Sequence, residues 1–167
     1  MTDAEIDVMR RIQEVAGDGP LPSLARGYSS WGEHARGWLA LGVVGAAVDR
    51  DRRRLWLGVS AAAFGAHAGA VVLKRVVRRK RPNDPRVAVL TSTPSDLSFP
   101  SAHVASTTAA VVALAPLVGM PFAVAAAGGM AFSRVLLGVH YPSDVAVGAA
   151  LGAVSAVVVR RVASDGR

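Results

Sequence analysis

The longest uncharged run in the chain, residues 104–132, reads VASTTAAVVALAPLVGMPFAVAAAGGMAF, and its length decides the fold. A helix crosses a bilayer in roughly 20 apolar residues, so this run is too long for one crossing. Gly119-Met120-Pro121 lies near its middle; glycine and proline punctuate helices, and two helices are expected, over 102–119 and 121–139. Working outward, further uncharged runs at 38–48, 55–73 and 145–159 are each bounded by polar or charged residues. With their neutral flanks they predict helices over 31–49, 55–73 and 143–160. The reading is an all-α, polytopic membrane helical bundle of five or six helices. Five of them cross the bilayer between about residues 31 and 160, in a single integral-membrane domain over 1–167.

Composition agrees, with 51% apolar residues and a mean hydropathy of +0.36, more than a small soluble protein carries. A buried soluble bundle is the alternative. Against it stand the small-xxx-small spacings Gly65/Gly69, Gly148/Gly152 and Gly42/Ala46, which let helices approach closely in lipid and would each cost about 1 kcal/mol against alanine in a soluble helix. The same faces leave room for a homo-oligomer. There are no cysteines, which excludes disulfides and thiolate metal sites. The first 15 residues are too polar and acidic for a signal peptide. Ile6, Met9 and Gln13, or Val8, Ile12 and Val15, give residues 1–16 a partly apolar face, suited to an interfacial helix or to docking on the protein. A net charge of +7 would point to nucleic acid on a soluble fold. Here the cations flank apolar helices, so the expected partner is the anionic bilayer surface and no nucleic acid is expected.

Three polar stretches interrupt this background. Lys74 and Arg81 are seven residues apart, close to two helical turns, so a helix running to the residue before Pro82 would present both on one stripe, with Arg78 between. Arg75, Arg79 and Lys80 read as a solvated basic helix end. Pro100-Ser101-Ala102-His103 looks like a helix start with serine as cap and free amides in the first turn, a favourable place for phosphate oxygens. In Ser133-Arg134 followed by His140 and Asp144, an arginine deep in an apolar helix is costly and seldom accidental. The carboxylate stands where it can turn back toward the imidazole, to fix its tautomer. With five crossings, alternate loops lie on opposite faces, and all three stretches fall on one face.

In order, these motifs resemble the three-part signature of the type 2 phosphatidic acid phosphatase superfamily. The resemblance implies a metal-independent membrane lipid phosphatase without cofactors, acting on a lipid-linked phosphate. His140 would be the nucleophile, Asp144 its orienting carboxylate and His103 the acid for the leaving oxygen; Lys74, Arg81, Arg134, Ser101 and the Ala102 amide would bind the phosphoryl group. Ala102 departs from the glycine usual there. Within the superfamily, Ser30-Trp31-Gly32-Glu33-His34, 73–82 and 98–103 look like actinobacterial phosphatases of decaprenylphosphoryl-5-phosphoribose, a step toward the cell-wall arabinan donor. Alternatives are an undecaprenyl-diphosphate or phosphatidylglycerophosphate phosphatase, a vanadium haloperoxidase, and a non-enzymatic lipid-binding protein.

Glu33, His34, Thr91 and Ser92 are candidate headgroup contacts, the last two in the polar loop 83–99, although polar loops are ordinarily just solvated. Glu33 and His34 read equally as interfacial residues beside Trp31 and Trp38. His67, seven residues before Lys74, would line a cavity or make an interhelical hydrogen bond. The expected location is the plasma (inner) membrane. The basic residues beside the second helix favour a cytoplasmic-facing site.

Overall fold

The computed structural model describes residues 3–165. Its α-helices are α1 (Asp3–Ala16), α2 (Leu21–Trp31), α3 (Arg36–Val48), α4 (Arg53–Val77), α5 (Ala102–Val118), α6 (Met120–Leu136) and α7 (Pro142–Asp165). The last five answer to the five expected crossings. α4 and α7 are long and apolar enough to cross a membrane. The 17-residue α5 and α6 stand at the lower limit, and the 13-residue α3 falls short of it.

α5 is the axis of the bundle. Residues 104–111 are buried without a break, which accounts for a segment apolar on every side. Its alanines meet α7 at glycines: a Cβ on Gly152 would stand 2.3 Å from the Ala105 carbonyl oxygen, and one on Gly148 2.7 Å from that of Ser101. On α4, Gly65 and Gly69 face Ser155 and Leu151 of α7. The small-residue spacings thus serve packing within the chain. In lipid that packing, rather than expulsion of apolar groups from water, joins helices. The outer faces carry Val43, Phe64, Val72, Phe122, Val124, Val154 and Val158, all more than half exposed. Such an apolar belt is what a lipid-facing surface requires.

Several expectations need correction. α2 is an additional helix: Pro22 and Gly27 weaken its local signal, and burial of Ala25 and Ser29 with a Tyr28 hydroxyl bond to the Ala126 carbonyl (2.9 Å) holds it against α6. The helix expected from residue 31 therefore starts at Arg36, after a turn at 33–35. Trp38 does not sit in an interfacial belt; it is 6% exposed and donates to Thr107 Oγ1 at 3.0 Å. The apolar face of α1 is docked on the protein, with Ile6 and Met9 buried beside Val135, Tyr141 and Val145. Gln13 fastens it by donating to the carbonyls of Ala88 and Leu136 and accepting from the Ala88 N–H.

α4 does not run to the residue before proline. It stops at Val77, where Arg78 turns left-handed (φ 55) and its N–H closes on the Lys74 carbonyl. The chain leaves as an extended segment, Lys80 bridging Leu97 and Arg81 N–H donating to the Asp96 carbonyl at 3.0 Å. The segment 78–101 thereby folds over one end of α4, α5 and α7.

Candidate active site

A cavity of about 370 Å³ opens at that end, and its walls include Lys74, Arg81, Ala102, His103, Arg134 and His140. All three motifs meet there by different routes. Lys74, at the end of α4, donates to the carbonyls of Leu97 (3.0 Å) and Ser98 (2.9 Å). Arg81 arrives from the extended segment rather than a shared helical stripe; its Nε donates to the Ser95 carbonyl and its Nη1 to that of Val139, each at 2.7 Å. That Nη1 also lies 3.3 Å from His140 Nε2.

Arg134 is buried in the last turn of α6, 3% exposed, with Nη1 donating to the hydroxyl of Ser29 on α2 and Nε without a partner. A buried guanidinium with an unfilled donor is ready for an anion. His103 stands in the first turn of α5 with a buried, unpartnered Nε2. Ser101 occupies the cap position but makes no capping bond; its buried Oγ is unpartnered, which corrects the capping expectation. Ala102 lines the cavity at the first position of α5, where an amide has no intrahelical acceptor.

His140 sits in the tight connection between α6 and α7. Gly138 makes that turn (φ 73); a Cβ there would strike the Ala88 carbonyl oxygen at 2.1 Å, so only glycine fits. The imidazole is 1% exposed, with Nδ1 3.5 Å from Asp144 Oδ2 and Nε2 toward Arg81. Burial, then the charges of Arg134, Arg81 and Lys74, hold His140 well below the ordinary imidazole value.

Asp144 is fully buried, and its strongest partners were not those expected. Oδ2 accepts the Tyr141 N–H at 2.9 Å, and Oδ1 accepts Arg79 Nη1 at 2.9 Å. Arg79 is therefore not a solvated helix end. It also donates to Ser143 Oγ (2.6 Å) and Glu5 Oε2 (2.7 Å) and lies 4.0 Å over the Tyr141 ring. Glu5 in turn accepts the N–H and hydroxyl of Ser143 through Oε1. Burial alone would raise the Glu5 carboxyl, but the Ser143 bonds and Arg79 outweigh it and hold the group below the usual glutamate value. Sequence reasoning missed Arg79, Glu5, Ser143 and Ser29.

Of the headgroup candidates, Glu33 and His34 line the cavity, as does His67, whereas the loop contributes Pro94, Ser95 and Leu97 and not Thr91 or Ser92. His67 Nδ1 has no partner, so the interhelical bond expected for it is not formed. Lys74, Arg75, Arg81 and Arg134 face a single carboxylate, Glu33, among the lining residues. The cavity is thus strongly cationic, and four histidines line it, His103 and His140 beside His34 and His67, a setting for phosphoryl transfer. A second hollow of about 350 Å³ at the far end of the bundle is lined by Arg54 and Arg160 with apolar neighbours and no histidine or carboxylate, and so has nothing to carry a proton.

The chain is 52% identical over 159 residues, 95% of this chain and 90% of the relative, to a Mycobacterium tuberculosis protein named decaprenylphosphoryl-5-phosphoribose phosphatase. Its fold matches that of Aquifex aeolicus LpxE with a TM-score of 0.78 at 20% identity, over 93% of each chain. It also matches a transmembrane PAP2 type phosphatidylglycerolphosphate phosphatase from Bacillus subtilis, with a TM-score of 0.76 at 25% identity over 99% of this chain and 89% of that one. Residues 53–166, well over half of the chain, match the family model described as PAP2 superfamily, and the chain belongs to that superfamily.

Proposed function

We propose that this chain is a membrane phosphatase that hydrolyses the phosphomonoester of decaprenylphosphoryl-5-phosphoribose through a phosphohistidine on His140. The observation that carries the chemistry is the convergence of Lys74, Arg81 and Arg134 on the same cavity as His103 and His140. The substrate is suggested by the name of a relative identical at 52% of positions.

In the first step His140 Nε2 attacks phosphorus; the P–N bond forms as the ester P–O bond breaks, and the leaving oxygen takes a proton from His103. Water then attacks phosphorus, His103 takes its proton, the P–N bond breaks, and inorganic phosphate leaves. Nε2 is the attacking atom because Nδ1 is turned toward Asp144. The three cations, the Ser101 hydroxyl and the Ala102 amide hold the phosphoryl oxygens as charge moves onto the leaving group. Arg79 is a positioning residue: it holds Asp144, whose Oδ2 stands 3.5 Å from the ring Nδ1, a nitrogen with no hydrogen-bond partner of its own, so that the carboxylate acts on the ring through its charge and place.

The site faces the cytoplasm across the plasma membrane, a reading supported by the basic run Arg75, Arg78, Arg79 and Lys80 beside α4. A cysteine placed in the loop 83–99 and labelled from outside intact cells would overturn that orientation. The function itself is tested by phosphate release from a panel of polyprenyl and glycerolipid phosphates, with His140→Ala as control. Release from the polyprenyl phosphoribose that vanishes in the variant is expected. Release only from undecaprenyl diphosphate or phosphatidylglycerophosphate would refute the substrate.

A further inference from the structure

Three residues that line the cavity beside the phosphate-holding cations have no task in the phosphoryl chemistry. Glu33 and His34 come from the turn between α2 and α3, and His67 from α4. The turn is pressed against the reacting groups: a Cβ on Gly32 would stand 3.3 Å from His103 Cδ2 and 3.0 Å from Met130 Cε. It is also strained, since His34 (φ 50) and Ala35 (φ 59) are both left-handed without being glycine. Two such residues in succession persist where the surroundings over-determine them. The His34 ring stands edge-on to His67, centroids 5.9 Å apart, with His34 Nε2 3.6 Å from Glu33 Oε1. His67 Nδ1 is buried without a partner, and such an atom ordinarily has one.

The geometry points to Glu33, His34 and His67 as a subsite for the hydroxyls of a sugar phosphate whose phosphoryl group lies on Lys74, Arg81 and Arg134. A carboxylate accepts two hydroxyl protons, and an imidazole nitrogen accepts or donates one according to tautomer, so this trio suits adjacent hydroxyls and offers nothing particular to an alkyl chain. The subsite deepens the phosphatase reading and rests on it only in that the phosphoryl group must enter this cavity. It keeps Glu33 and His34 of the α2–α3 turn as headgroup contacts, adds His67 from the middle of α4 and leaves out Thr91 and Ser92 of the loop 83–99.

The test is binding of ribose 5-phosphate and of propyl phosphate to the detergent-solubilised full chain in the non-hydrolysing His140→Ala background. The expected result is a preference for ribose 5-phosphate of about tenfold or more, since one hydrogen bond to a charged group contributes roughly that factor. That preference should fall to within about twofold when either Glu33→Gln or His67→Ala is added. The ratio is the readout, so changes common to both ligands cancel. Equal affinities before the second substitution, or a preference that survives both, would overturn the subsite while leaving the phosphate cavity intact. Binding of neither ligand would overturn the cavity reading and the subsite with it.

Discussion

Replacing Arg79 with alanine should slow the chemical step without weakening substrate binding. Arg79 lies outside the cavity wall, yet donates to Asp144 Oδ1 at 2.9 Å, and Asp144 is fully buried. Removing one partner of a charge-assisted hydrogen bond to a buried carboxylate costs about 1.5–3 kcal/mol. If that cost appears in the positioning of His140, kcat falls roughly 10- to 150-fold at 1.4 kcal/mol per decade. Some orientation survives through the Tyr141 N–H on Oδ2, so the loss stays below that of removing His140. Lysine keeps the charge but not the forked contact to Ser143, Asp144 and Glu5, and Arg79→Lys should recover part of the rate. Loss of a cation beside a carboxylate raises the pH at which that carboxylate is protonated. The acid limb of the rate profile should therefore move to higher pH in Arg79→Ala. The assay is steady-state phosphate release in micelles across pH. Activity within twofold of the parent, an effect confined to KM, or an unmoved acid limb would refute the positioning role.

Other outcomes follow from the same geometry. Glu5 is held below the usual glutamate value, so its contribution to the docking of α1 is complete above the unfolded-state value near 4.5 and is lost as pH falls through the lower folded value; hydrogen exchange in α1 should accelerate in that acid window, and Glu5→Gln should abolish the dependence. Gly152→Ala places a methyl group 2.3 Å from the Ala105 carbonyl oxygen and should destabilise the bundle by about 1–3 kcal/mol, read as a lowered midpoint of thermal unfolding in micelles. Ala102→Gly leaves every reactive side chain in place and should change kcat by less than about threefold, with at most about 1 kcal/mol of stability lost. Arg134→Ala removes a buried cation of the cavity wall and, on the proposed role in holding the phosphoryl group, should reduce kcat/KM by about 2 kcal/mol or more, roughly 30-fold.

The helical bundle was legible because its signal is local. Uncharged runs bounded by polar or charged residues give length and position, and the Gly119 turn separates α5 from α6 as the glycine and proline there indicate. The cavity residues were legible for a different reason: Lys74, Arg81, His103, Arg134 and His140 are ionisable groups beside or within apolar helices, where chance rarely leaves them. Arg79 was hidden because nothing in Arg78-Arg79-Lys80-Arg81 distinguishes one cation from the next. Its partners Glu5 and Asp144 are 74 and 65 residues away, so only the fold reveals the link. Ser29 was hidden in the same way, in a helix whose stability comes from packing on α6 rather than from its own propensity. The end of α4 was misplaced because proline limits only the residue before it, whereas the pairing of Lys80 with Leu97 and Arg81 with Asp96 ends the helix earlier.

The central claim is that His140 carries the phosphoryl group between the two steps. It is tested most directly by acid-free quenching of the enzyme during turnover of a radiolabelled phosphomonoester, followed by mapping of the label. An acid-labile, base-stable phosphoryl adduct on His140 Nε2 that is absent from His140→Ala is expected. An adduct on another residue, or a His140→Ala enzyme that still turns over at the parental rate, would contradict it.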